Sequence, residues 1–257
     1  MIDSHTHIFD KAFDGDREAV IQRAAAEGVE RMILPAIDST SHGALIECLD
    51  KYPSVCFGAI GLHPTSVNDN PAWEKELELV VSFLECHPGR WVAIGEVGLD
   101  LYWSKDFLKE QQHAFVKQIE LALAKNLPLI IHTRDAWDEM IALTEPYIRD
   151  MRAVFHSFSG QEHHLSKILQ YDNIYIGMGG VVTYNKSALP ELLKDVPLER
   201  ILLETDAPYL PPVPYRGKRN ESSYLPLIAA KIAEIKGEDV NLIKKITVQN
   251  TVELFFS

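Results

Sequence analysis

The chain has 257 residues, 46% of them hydrophobic and 24% charged, proportions that exclude a disordered, collagen-like or coiled-coil protein. Lys and Arg number 25 against 37 Asp and Glu, a formal net charge of -12. That excludes a protein holding polyanions through its overall field, though a local basic loop or bound divalent cations can still reverse the potential at one site.

Eight short apolar runs punctuate the chain. Ile2 opens a very short one, and the others span residues 31–37, 55–62, 91–99, 128–133, 152–158, 174–180 and 201–204. Each is rich in Val, Ile, Leu, Ala and Gly with little alternation, the pattern of strands buried on both faces. Segments of helical period lie between them: 16–27 with Gly28 as its C-terminal cap, 107–125 with Phe115, Ile119, Leu121 and Leu123 on one stripe, 135–149, 161–170 and 187–195. The tail, 239–257, reads as two short helices. Strands alternating with helices predict parallel βα units, and eight such units predict a single-domain α/β (β/α)8 TIM barrel over residues 1–257, with an open doubly wound sheet as the competitor. Cys48, Cys56 and Cys86 encode neither a disulfide framework nor a zinc knuckle, and are expected to be buried small apolar residues. With no apolar run near the ~18 residues of a membrane span and no signal-peptide pattern at the start, a soluble, cytoplasmic protein is expected, with no membrane contact and no obligate protein partner.

The chemistry clusters where the strands end. His5 and His7 follow the first strand, Glu96 lies late in the fourth, His132 and His156 close the fifth and sixth, and Asp206 follows the eighth. Residues two apart on an extended chain project to one side, so His5 and His7 can converge on one cation. Each residue alone could be a hydrogen-bonded rim side chain. Six buried imidazoles and carboxylates together need a counter-charge, which metal ions supply. Six ligands are too many for one catalytic metal with an open position, but suit two ions about 3.5–4 Å apart bridged by a carboxylate. Glu96 can bridge because its oxygens can face separate ions. The other natural bridge is a hydroxide, available at neutral pH through two Lewis acids.

These residues sit in longer stretches: Ile2-Asp3-Ser4-His5-Thr6-His7, Gly61-Leu62-His63-Pro64, Gly95-Glu96-Val97-Gly98-Leu99-Asp100, His132-Thr133-Arg134, His156-Ser157-Phe158-Ser159-Gly160, Glu204-Thr205-Asp206-Ala207-Pro208-Tyr209-Leu210 and Arg216-Gly217-Lys218-Arg219-Asn220. Across essentially its whole length the chain resembles the TatD family of metal-dependent deoxyribonucleases, within the amidohydrolase-type TIM barrels. The resemblance implies that His5, His7 and Asp206 hold one metal, that His132 and His156 hold the other, and that Glu96 bridges. Ser4 and Thr6 stand where relatives often carry Thr and Cys, and Leu101 separates Asp100 from Tyr102. Zinc, magnesium and manganese all remain open as the two divalent ions.

Further residues are candidates for substrate. His63 is expected to contact a phosphate or leaving group, or else to stabilise the Pro64 turn. Arg134 can clamp a phosphate through its fork, or pair with an acid on the next helix. Glu204 and Asp100 are candidates either for orienting ligand imidazoles or for taking part directly. Tyr102 and Trp103 offer rings for stacking on an unpaired base or for packing on the barrel rim. Arg216, Lys218 and Arg219 form a basic patch in a proline-rich segment, expected to grip phosphates or else to be a solvated face. His42, His87, His113, His163 and His164 are read as surface or structural. The leading expectation is a phosphodiesterase, by resemblance a deoxyribonuclease acting as an exonuclease on single-stranded DNA ends, with Asp206, Glu96 and His63 catalytic. The alternatives are a binuclear hydrolase of a small ester, lactone, phosphotriester or cyclic amide, and a catalytically silent scaffold.

Overall fold

In a computed structural model, which describes residues 1–257, all eight apolar runs are strands: β1 (Ile2–Asp3), β2 (Arg31–Pro35), β3 (Cys56–Ile60), β4 (Trp91–Asp100), β5 (Leu129–Arg134), β6 (Ala153–Phe155), β7 (Ile174–Met178) and β8 (Ile201–Leu203). They form one sheet in sequence order, every neighbouring pair parallel. Past the ends of β1 and β8 the chain stays extended and closes the circle. Thr6 bridges Ala207 in parallel, and the Ser4 and Asp206 amides donate to the carbonyls of Leu203 and His5 at 3.0 and 2.9 Å. The result is the expected TIM barrel.

Nine helices surround it: α1 (Arg17–Ala26), α2 (Ser39–Lys51), α3 (Trp73–Cys86), α4 (Leu108–Lys125), α5 (Trp137–Thr144), α6 (Glu162–Ile168), α7 (Leu189–Leu193), α8 (Leu225–Lys236) and α9 (Val240–Phe256). The periodicity reading needs several corrections. It omits α2, α3 and α8. The tail is one 17-residue helix rather than two short ones. On α4 the buried face carries Phe115, Ile119 and Ala122, while Leu123 is exposed. Cys86 is exposed at the end of α3, unlike buried Cys48 and Cys56. No helix is long and apolar enough to cross a membrane.

Two apolar layers fill the molecule. The larger lies between strands and helices. The smaller fills the lower barrel with one inward side chain from each of seven strands: Ile33, Ala59, Ala93, Ile130, Val154, Tyr175 and Leu202. Leu254 and Phe255, from the end of α9, join that inner cluster and floor the barrel. Beside them the guanidinium of Arg31, at the start of β2, sits 5.6 Å from the Phe57 ring and 5.1 Å from the Phe256 ring. With the lower interior closed by hydrocarbon, the polar inward-facing residues are confined to the opposite, C-terminal rim, where barrels of this kind build their sites.

Candidate metal centre

The rim is shaped by a defect in β4. Its pairing with β5 advances from Ile94 opposite Leu129 to Val97 opposite Ile131, so three steps on β4 match two on β5. An extra residue of this kind bends a strand and re-aims a side chain. The Glu96 amide leaves the regular ladder and donates to Ala36, beyond the end of β2, at 3.1 Å. Glycine permits the close approach: a Cβ on Gly95 would lie 2.6 Å from the Ile130 Cβ. Glu96 is thereby held inside the barrel mouth, only 3% exposed, rather than at the strand's end, since β4 continues to Asp100.

Around Glu96 the six residues expected as ligands converge, and they divide between its two oxygens. Oε2 lies 3.2 Å from His5 Nε2 and 3.7 Å from His7 Nε2. Both imidazole nitrogens lie 3.6 Å from Asp206 Oδ1, and 3.1 Å from each other. Oε1 lies 2.8 Å from His132 Nδ1, 2.9 Å from His156 Nε2 and 3.4 Å from His63 Nε2. His156 and Asp206 lie at abrupt exits from their strands, with Ser157 at φ 45° and Asp206 at φ 58°. Such left-handed backbone in non-glycine residues costs about 1–3 kcal/mol and collects at functional sites.

A second ring of groups fixes these side chains. Asp100 Oδ2 lies 2.9 Å from His132 Nε2. The fully buried Glu204 lies across Gly177, where a Cβ would come within 2.1 Å of Oε2. It accepts the Ser157 amide and sits 3.5 Å from His156 Nδ1. Both acids thus lie against ligand imidazoles, Asp100 against His132 and Glu204 against His156, and Glu204 is fully buried. Asp3 accepts the Thr205 hydroxyl and amide at 2.6 and 3.0 Å, tying β1 to the loop that carries Asp206.

The donor set fits divalent cations. His5 and His7 turn their Nε2 atoms toward each other and toward two carboxylates, a convergence of lone pairs that only protons or a cation can satisfy. Electrostatics agree. Burial alone would raise Glu96, yet the imidazoles of His156, His63, His5 and His132 hold it well below the usual carboxylate range. Burial pulls His156 down, but Glu96 and Glu204 raise it well above the ordinary histidine value. The carboxylates thus demand positive charge here. A separate His/Asp group away from this centre, Asp138 with His163 and His164, does not fit. His164 Nδ1 accepts the Gln161 amide at 3.0 Å, so its Nε2 carries the proton and donates to Asp138.

The centre opens into a cleft of about 650 Å³ lined by His7, His63, His132, His156 and Asp206, by Trp103 and Arg134 on one side and by Tyr209 and Leu210 on the other. Arg134 is its only arginine or lysine. The alternative of an ion pair for Arg134 is not realised. Its guanidinium lies 3.5 Å from the centre of the Tyr102 ring. Tyr102 thus packs against Arg134 outside the cleft lining, whereas Trp103 lines the cleft. His63 stabilises the Pro64 turn, where Nδ1 accepts the Thr65 amide at 3.2 Å, and its Nε2 faces Glu96 at the cleft.

The basic patch is dispersed. Arg219 donates to both carboxylate oxygens of Asp16 at 2.7 Å, to Glu221 at 3.0 Å and to the Ala12 carbonyl at 2.7 Å. It joins the β8 loop to α1 and is spent on that contact. Arg216 and Lys218 are exposed, packed over Tyr184 and Tyr215 respectively, and neither lines the cleft. His42 and His164, read as surface or structural, are both buried.

With this geometry in view, comparison with known proteins is decisive: residues 2–256 match the family described as TatD related DNase. The chain belongs to the TatD family. It is 38% identical to the uncharacterized metal-dependent hydrolase YabD of Bacillus subtilis, over 99% of this chain and 98% of that protein. It is 34% identical to the 3'-5' ssDNA/RNA exonuclease TatD of Escherichia fergusonii, over 99% of this chain and 98% of that one. The crystal structure of YjjV, a TatD homologue from Escherichia coli, superimposes with a TM-score of 0.91 at 32% identity, covering 100% of this chain and 98% of that chain. As a TatD family member the chain is a metal-dependent hydrolase.

Proposed function

We propose that this protein is a binuclear metal-dependent phosphodiesterase that trims single-stranded DNA ends. One observation carries the reading: the two oxygens of Glu96 serve two separate sets of ligand atoms, one with His5, His7 and Asp206, the other with His132 and His156. Two divalent ions, zinc, magnesium or manganese, would supply Lewis-acid polarisation of the phosphoryl group and acidify the attacking water. The nucleic acid substrate is supported by the relatives named 3'-5' ssDNA/RNA exonuclease. It is also supported by Arg134, whose unpaired fork favours an anionic substrate over a neutral lactone or cyclic amide.

The chain's own residues have distinct tasks in this reaction. Asp206 directs Oδ1 at His5 and His7. Its other oxygen, at a side chain 14% exposed, is left to accept a proton from the attacking water. Because His63 Nδ1 accepts the Thr65 amide, a neutral ring carries its proton on Nε2. Burial lowers the His63 pKa and favours that neutral form. His63 therefore donates a hydrogen bond to the departing oxygen. Arg134 holds a phosphate next to the scissile one, its plane set by Tyr102.

The test is incubation of purified protein with end-labelled single-stranded DNA, with chelator and with each metal restored in turn. Metal-dependent shortening from one end is expected. Hydrolysis of a lactone or cyclic amide, with DNA left intact under every metal, would overturn the assignment.

A further inference from the structure

Trp103 is 69% exposed, more than any other large hydrophobic side chain of the protein. An indole of that size left open costs hydration unless something covers it. Its position is nevertheless tightly fixed. The Tyr102 amide donates to Asp100 Oδ1 at 3.0 Å, and the Leu101 amide donates to the Arg134 carbonyl at 2.9 Å. The Tyr102 ring meets the Trp103 ring edge-on at 5.0 Å, and Arg134 packs 5.9 Å from the indole. Asp100 uses its other oxygen on His132. One carboxylate thus ties the turn bearing Trp103 to a ring of the metal centre, and sets the spacing between them.

We propose that Trp103 is the stacking platform for an unpaired nucleobase, that of the nucleotide adjacent to the scissile bond, while Arg134 grips that nucleotide's phosphate. The inference rests on the phosphodiesterase reading and adds to it the part of the substrate recognised away from the metals. A flat, exposed ring beside a cation is what a splayed base with its phosphate would recognise, and stacking tolerates any base because every base has a π-face. A base in a duplex has its faces covered by its neighbours, so single strands are selected. Purines, with the larger face, should be held more firmly than pyrimidines.

The experiment is equilibrium binding, followed by fluorescence anisotropy, of a labelled short oligo-deoxyadenylate to chelator-treated protein. The comparison strand has abasic residues at its terminal positions. Trp103→Ala should weaken binding of the adenylate strand roughly tenfold, with Trp103→Phe restoring most of it. On the abasic strand, already weak with the wild type, Trp103→Ala should produce little further loss, because substitution and missing base remove the same contact. Unchanged affinity in Trp103→Ala, or losses on both strands that simply multiply, would overturn the platform. Cleavage assays with restored metal separate the two readings. Cleavage of DNA without dependence on Trp103 removes the platform alone. Binding that depends on Trp103 with no cleavage under any metal removes the phosphodiesterase and leaves a platform for nucleobases.

Discussion

Glu204 occupies the space that a side chain on Gly177 would take: a Cβ there would lie 2.1 Å from its Oε2. β7 thus contributes a missing side chain to the site, and through Glu204 it supports the His156 ring and the Ser157 amide. Gly177→Ala should push the carboxylate out from beneath His156. Loss of such a partner typically costs about 10–100-fold in metal affinity or activity. Titration of metal into apoprotein, with circular dichroism confirming the fold, checks this. An affinity equal to wild type would show that Glu204 does not orient His156.

Asp206→Asn keeps the shape and one oxygen but loses basicity. Single-turnover hydrolysis should fall by about two to four orders of magnitude, while part of the metal content survives. Rates and metal analysis on the same preparation decide it. A fully active Asn variant removes Asp206 from the mechanism.

Arg219 is expected to affect stability rather than substrate. Its contact holds the Asp16 carboxyl down at about 2, chiefly through the hydrogen bond from Arg219. A depressed carboxylate contributes stability above its unfolded pKa of about 4, and that contribution fades as pH falls toward 2. Asp16 is partly exposed, so solvent screening keeps the effect modest. Arg219→Ala should therefore lower the melting temperature at pH 6, and the gap to wild type should close between pH 4 and 2. KM for DNA should stay the same. A raised KM with an unchanged melting temperature would return Arg219 to the substrate.

The barrel floor gives a prediction independent of the site. Leu254 is 1% exposed among the inward side chains of the strands. Leu254→Ala should cost about 2–5 kcal/mol, measured by urea denaturation. A loss below 0.5 kcal/mol, far under that range, would mean that α9 does not plug the barrel.

The strands and the six convergent residues were legible because both follow from local rules. A strand buried on both faces reads as an apolar run, and a polar residue at its end falls on the rim. Helices were harder. α2 buries His42 alongside Leu45, Cys48 and Leu49, so a polar letter interrupts its stripe. α9 reads as two pieces because Thr247, Asn250 and Thr251 lie on its buried face. There Asn250 donates to the Leu198 and Ile201 carbonyls, and the two threonines bond back one turn. Arg219 looked like part of a phosphate grip because its partner Asp16 is 203 positions away. The ties from Asp100 to His132 and to the turn bearing Trp103 depend likewise on three-dimensional neighbours that no spacing reveals.

The proposed mechanism centres on Glu96 shared between two cations, and metal stoichiometry tests it most directly. Metal analysis of reconstituted, desalted protein should find two equivalents in the wild type. Glu96→Ala should keep the fold by circular dichroism, retain at most one equivalent and hydrolyse no DNA. One equivalent in fully active wild type, or wild-type turnover by Glu96→Ala, would contradict the binuclear centre.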